Sequence, residues 1–138
     1  CIRDRFYSVF ETRAKLYRNN CATPNTPPAA PANLQAVVAG SDVTFSWDVA
    51  SDTETPSPGL TYNLKVRSDS GGNDDIMPCM SDPVTGKRRI PAMGNVQHNR
   101  SWTLKGLASG TYYWSVQSVD TGFMGSEWAP EESFVIPP

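Results

Sequence analysis

From residue 32 onward apolar and polar positions alternate with a period of 2, the pattern of β-strands with one buried face. ANLQAVV puts Leu34, Ala36 and Val38 on one face, and AGSD turns the chain. DVTFSWD puts Val43, Phe45 and Trp47 on one face with Thr44 and Ser46 on the other. VASDTETPSPGL is turn chemistry throughout, a loop between sheets. LTYNLKVRS resumes the alternation, with Tyr62, Leu64 and Val66 facing in and Asn63, Lys65 and Arg67 facing out.

The stretch 76–100 has no clear period and is broken by Pro78, Pro83 and Pro91, which predicts short edge-strand pieces and loops. SWTLKGL then places Trp102 and Leu104 on one face with Leu107 at a corner. TYYWSVQSVD aligns Tyr112, Trp114, Val116 and Ser118, and SFVI alternates Phe134 and Ile136. About seven short strands separated by turn signals predict an all-β, immunoglobulin-like antiparallel sandwich with an N-terminal extension. Trp47, Tyr62, Trp102, Leu107, Tyr112 and Trp114 are its expected core. Each large side chain contributes about 1.5–3 kcal/mol when fully buried.

The head reads differently. FYSVFETRAKLYRN fits a strand, and it also fits a helix with Phe6, Phe10, Ala14 and Tyr17 at spacings of 4, 4 and 3. CATPNTPP follows, giving three units: residues 1–20 as an extension, 21–31 as a proline-rich linker and 32–138 as the domain. As a strand, the extension would join an open sheet edge of its own or a neighbouring copy, with Phe6, Tyr7, Val9, Phe10, Leu16 and Tyr17 as the assembly residues.

With 138 residues and 38% hydrophobic content, the chain suffices for one core. The formal charge of −2 divides unevenly: residues 1–20 carry five basic and two acidic groups, the remainder seven and twelve. An acidic body argues against nucleic acid as a partner, because phosphates require a basic stripe across the folded face. No apolar run reaches the roughly 20 residues of a membrane helix. The N-terminus does not read as a signal peptide, so an exported form would carry its signal outside this sequence, and Cys1 as a lipid-bearing residue lacks that support.

Cys1, Cys21 and Cys79 form no CxxC pair and have no histidine partner for zinc. A Cys21–Cys79 disulfide is open in an oxidising compartment, and the odd count leaves one thiol over. His98, the one histidine, has no nucleophile and orienting carboxylate near it in sequence, and no cleft for paired carboxylates is expected, so the chain reads as non-catalytic. Asp48, Asp52 and Glu54, and likewise Asp69, Asp74 and Asp75, lack the spacing of a calcium loop; no metal or cofactor is expected. Lys87, Arg88 and Arg89 read as charges guarding an edge strand or as an attraction for an anionic polysaccharide. DTGFMGSEWAPEE offers Phe123, Met124 and Trp128 as a ligand or protein contact, or as a cover for the sandwich end.

PPAAPANL, Trp47, Tyr62 and LASGTYYWSVQSVD together resemble a fibronectin type III domain over residues 28–138, with Leu107 and Tyr112 matching its tyrosine corner. More narrowly, residues 15–138, including the junction AKLYRNNCATPNTPP, resemble the fibronectin-type domains that follow FG-GAP or VCBS propeller repeats in large secreted and surface proteins of bacteria. The resemblance implies an extracellular or cell-surface module, a spacer or an adhesion and carbohydrate-contact domain. Its partners would be other domains of the same protein, neighbouring copies or polysaccharide. A fibre subunit joined by N-terminal strand addition, and an accessory domain of a secreted polysaccharide-degrading enzyme, are the alternatives. The family's RGD tripeptide is absent from the sequence.

Overall fold

The computed structural model describes residues 22–68 and 75–138. Seven strands are formed among them: β1 (Gln35–Ala39), β2 (Asp42–Ser46), β3 (Thr61–Arg67), β4 (Asp75–Met77), β5 (Ser101–Leu104), β6 (Gly110–Val119) and β7 (Glu132–Ile136). They make two antiparallel sheets, ordered β1-β2-β5 and β4-β3-β6-β7. A single 3₁₀ turn, Ser57–Gly59, is the one helical piece among the described residues. The assembly residues Phe6, Tyr7, Val9, Phe10, Leu16 and Tyr17 lie outside the described residues.

Each strand follows from its local sequence. Ala39 pairs with Asp42 across a two-residue hairpin, and Gly40 at its first position takes φ 64°, a conformation glycine adopts without a Cβ clash. The alternation of β2 sends Val43 and Phe45 fully inside, with Trp47 just beyond. Between the sheets Phe45 meets Trp114 at 4.6 Å and Phe134 at 5.4 Å, Trp47 meets Tyr62 at 5.7 Å, and Tyr112 stacks on Phe134 at 5.3 Å. Leu34, Ala36, Val38, Trp102, Leu104 and Leu107 close the core from its margins, half-buried.

The outer face of the larger sheet departs from the expected alternation. Asn63, Lys65 and Arg67 leave the core as the period predicts, yet they are 0–4% exposed rather than solvated. The chain between β4 and β5 and the loop after β6 lie over them. A tight hairpin of residues 81–88, bridged between Ser81 and Arg88, is the centre of that cover.

That cover also finishes the open edge of β3. β4 pairs only with Val66 and Arg67. Further along, the Asn95 side chain accepts from Leu64 N–H at 2.8 Å and donates to Leu64 C=O at 2.8 Å, standing in for a strand. Tyr62 then exchanges backbone bonds with Gln97 and Val96 at 2.8 and 3.2 Å. The edge is thereby saturated by chain that is not itself strand, and Val96 is carried into the core with no exposure.

The sandwich has two distinct poles. At the first lie the end of β2, the starts of β3 and β5 and the end of β6, since Ser46 pairs with Ser101 and Thr61 with Val119. At the second lie the β1–β2 turn and the corner before β6, joined by Leu107 N–H to Ser41 C=O at 2.9 Å, with Ile136 opposite Gly110.

Candidate functional site

Two regions hold most of the chemistry-bearing side chains: the covered outer face and the first pole. On the outer face Gln117 is fully buried and bonded on every side. Its carbonyl oxygen accepts from Ser81 Oγ at 2.8 Å and Asn63 Nδ2 at 3.2 Å, while its amide donates to Ser126 C=O at 2.7 Å and to Gly86 C=O. Arg88 reaches in over the same spot, donating to Ser81 Oγ at 3.1 Å and to Ala92 C=O at 2.7 Å. Burial pulls the Arg88 guanidinium below its ordinary value.

The hairpin is held at its tip by Asp82. The Asp82 carboxylate accepts from the backbone N–H groups of Thr85 at 2.8 Å and Val84 at 3.0 Å, an Asx turn. These bonds, Thr85 first, lower its pKa to about 2. Arg89 adds an exposed ion pair at 3.5 Å. Of the basic trio, then, Arg88 clamps the hairpin and Arg89 braces it, while Lys87 is exposed.

Trp128 belongs to this assembly. Its indole N–H donates to Asp82 C=O at 2.9 Å, and Lys65 Nζ sits 4.5 Å from its ring centre while donating to Pro83 C=O at 3.2 Å. Phe123 and Met124, on the tip of the same loop, stand apart from it at the first pole: Phe123 is half-buried with φ 67°, and Met124 is exposed. The structure therefore divides the three aromatic and thioether contact candidates between two surfaces.

At the first pole residues 25–32, within and just after the expected linker, lie against the loops. Asn25 Nδ2 donates to Asp120 at 2.6 Å, Thr26 Oγ1 to Glu54 at 2.9 Å, and Ala29 takes bonds from both directions, to Ser51 C=O at 2.8 Å and from Ser118 Oγ at 2.6 Å. Within this strap Pro28 and Pro31 are buried. Thr55 and Thr121 join the two main loops through their hydroxyls at 3.1 Å.

The acidic groups weighed for calcium are engaged in these turns: Asp48 accepts from Asn33 at 2.6 Å, Asp52 from Thr55 N–H at 2.7 Å, and Glu54 from Thr26. Asp69 and Asp74 lie outside the described residues. Among the described residues no three His, Cys, Asp or Glu side chains are grouped to hold a metal. Cys79 carries a free thiol whose S–H donates to Ser81 C=O at 3.4 Å, and Cys21 lies outside the described residues. His98 Nδ1 lies 3.0 Å from Leu60 C=O, with no carboxylate or nucleophile bonded to the ring among the described residues.

Beside His98 is a cleft of about 220 Å³, lined by Val49, Ser57, Pro58, Leu60, Tyr62, His98 and Arg100. The sequence drew attention to His98 but not to this cleft, whose walls come from two loops about 40 residues apart. Arg100, two residues beyond the histidine at the start of β5, was the available signal.

The corner before β6 supplies the decisive comparison with known architecture. Tyr112 O–H donates to Ala108 C=O four residues upstream at 2.9 Å, and Leu107 is half-buried against the core. No family model and no curated protein matches the sequence. Solved structures do match its three-dimensional form. A fibronectin type III domain of human fibronectin type III domain containing protein 3 aligns with 85% of this chain and 93% of its own at TM-score 0.55 and 18% identity. The third fibronectin III domain of human KIAA0343 protein aligns with 88% of this chain and 91% of its own at TM-score 0.55 and 17% identity. The sixth such domain of the first protein aligns at TM-score 0.53, 17% identity, and 85% and 90% coverage. The fold is a fibronectin type III sandwich.

Within that fibronectin type III framework the tyrosine corner pins the crossover into β6. Among the described residues no helix is long and apolar enough to cross a membrane.

Proposed function

We propose that the chain is a non-catalytic spacer module of a larger secreted or cell-surface protein, with a contact surface on the loops of its first pole. The observation that carries this reading is the path of the chain. It arrives at the first pole tied down from Asn25 to Ala32 and leaves from the second pole beyond Ile136, which lies opposite Gly110. A module built this way holds whatever precedes and follows it at opposite ends. The strap keeps the approach from swinging, because Pro28 and Pro31 are buried and Ala29 is bonded on both sides. The likeness of residues 15–138 to domains following propeller repeats in bacterial surface proteins supports such a host, and an accessory place in a polysaccharide-degrading enzyme is compatible with it.

The engagement of the histidine and the turn carboxylates in structural bonds supports the non-catalytic part. Met124, exposed on the contact loop, and its half-buried neighbour Phe123 are the residues we assign to an adhesion or polysaccharide contact, while Trp128 holds the outer cover with Lys65 and Asp82.

Small-angle scattering on two full chains joined head to tail tests the spacer. An extended particle of fixed length, shortened or loosened by Asn25→Ala with Ser118→Ala, is the expected result. A particle as compact and variable as two beads on a flexible tether would overturn it. Turnover of any glycoside, ester or phosphate in a substrate panel, lost on His98→Ala, would overturn the non-catalytic reading.

A further inference from the structure

The cleft beside Arg100 has the makings of a recognition site, and three of its features converge. Its floor and wall are apolar: Leu60 forms the floor, Pro58 is exposed, and Val49 is 50% exposed although it is a large aliphatic residue. At about 220 Å³ it falls below the roughly 300–1,000 Å³ of sites that enclose a whole small molecule, and suits one apolar side chain.

The second feature is charge. Arg100 uses its backbone carbonyl to receive Trp47 N–H at 3.2 Å, while its guanidinium bonds to no carboxylate or carbonyl among the described residues. An arginine fork beside an apolar hollow is matched to a carboxylate carried next to an apolar group. The third is the orientation of His98. A carbonyl oxygen only accepts, so Nδ1–H donates to Leu60 C=O, and in that tautomer Nε2 of this lining residue is an acceptor.

An apolar hollow, a carboxylate-binding fork and an acceptor for N–H describe the last residue of a polypeptide: its side chain, its terminal carboxylate and its amide. We propose that this cleft docks the free C-terminus of a partner chain that ends in an apolar residue such as leucine. An internal peptide segment lacks the carboxylate, and an acidic sugar lacks both the apolar side chain and the backbone amide. The proposal goes beyond the spacer reading, which stands whether or not the cleft is used.

Titration of the full chain with acetyl-Ala-Ala-Ala-Leu as the free acid and as its C-terminal amide, followed by amide NMR shifts and calorimetry, tests it. The free acid is expected to shift the amides of Val49, Leu60, His98 and Arg100, and the peptide amide to bind at least about tenfold more weakly. Arg100→Ala should cause a similar loss with an unchanged melting temperature, because the side chain is exposed. Val49→Glu, on the rim, should weaken the free acid by repulsion and serves as a second variant. Equal binding of acid and amide, no shift at the cleft, or full binding by Arg100→Ala overturns the proposal. So does oligogalacturonate shifting these amides where the peptide does not, which would reassign the cleft to acidic polysaccharide.

Discussion

The ammonium of Lys65, on the outer face of β3, lies 4.5 Å from the ring centre of Trp128, whose indole N–H is bonded 2.9 Å from Asp82 C=O. Lys65 is 4% exposed, so the pair works where water screens little. Trp128→Ala removes the ring, the cation–π contact and one hydrogen bond, and is expected to cost about 2–4 kcal/mol in urea unfolding. Trp128→Phe keeps a ring under the ammonium and should cost only about 1 kcal/mol. If both variants unfold with the wild type, the indole does not hold the outer cover.

Gly94 is fixed by sterics rather than by backbone conformation. A Cβ there would stand 2.0 Å from Tyr62 O and 2.8 Å from Asn63 N, both backbone atoms of β3 that cannot rotate aside. Gly94→Ala should therefore lift the 94–97 segment from the strand edge and cost at least about 3 kcal/mol. Gly106, at φ 70° with open space around it, offers the contrast: Gly106→Ala should cost only the left-handed penalty of about 1–2 kcal/mol. Equal losses at the two sites in thermal or chemical unfolding would refute the steric account.

These two sites show where sequence reading stops. β1, β2 and β6 were legible because their neighbours on one face are two residues apart, and the corner at Leu107 and Tyr112 was legible because its hydrogen bond spans four residues. The cover of the outer face was not. Asn63, Lys65 and Gln117 occupy polar positions of a period-2 pattern, and such positions normally face water; here they are buried by chain that reaches them from 9 to 36 residues away. Val96 enters the core from a stretch with no alternation at all, because Asn95 replaces strand backbone with a side-chain amide. Nothing local said that residues 81–88 would form a hairpin that folds onto β6. The cleft at Arg100 was hidden for the same reason, being built from two loops that meet only in the folded sandwich.

Tyr112 combines two separable roles. Its ring stacks on Phe134 at 5.3 Å, and its hydroxyl donates to Ala108 C=O at 2.9 Å. Tyr112→Phe keeps the stack and deletes the bond, and should lower stability by about 0.5–1.5 kcal/mol without altering the near-ultraviolet dichroism of the core. Tyr112→Ala removes both and should cost about 3–5 kcal/mol. A phenylalanine variant as stable as the wild type would mean that the corner is held by packing alone.

Gln117 is the side chain on which the outer cover converges. Gln117→Leu would fill a similar space but leave Ser81 Oγ, Asn63 Nδ2 and the carbonyls of Gly86 and Ser126 without this partner. Each buried polar group left unsatisfied costs about 1–3 kcal/mol, so the variant should lose at least about 3 kcal/mol despite its greater hydrophobicity. Hydrogen exchange should locate the loss in residues 81–89 and 126–129. A stabilised Gln117→Leu would show that the network is dispensable.

Asp82 makes the hairpin acid-sensitive in a defined window. Its carboxyl is held at about 2 in the folded chain, chiefly by the Thr85 and Val84 N–H groups, against an ordinary value of 3.8. Because the folded value is the lower one, the ionised carboxylate stabilises the fold above about pH 4, and that contribution falls away as pH drops through the folded value near 2. Lowering pH from about 4 to 2 should therefore loosen the tip, release Asp82 C=O from the Trp128 indole, and change Trp128 fluorescence before the sandwich unfolds. The group is solvent-facing, so added salt should weaken the Arg89 contribution while the backbone bonds persist. Asp82→Asn retains a side-chain acceptor for Thr85 and Val84 but cannot titrate. Its stability should be lower at neutral pH, and the Trp128 fluorescence change between pH 4 and 2 should be lost, whereas a variant that keeps the wild-type change would place the titrating group elsewhere.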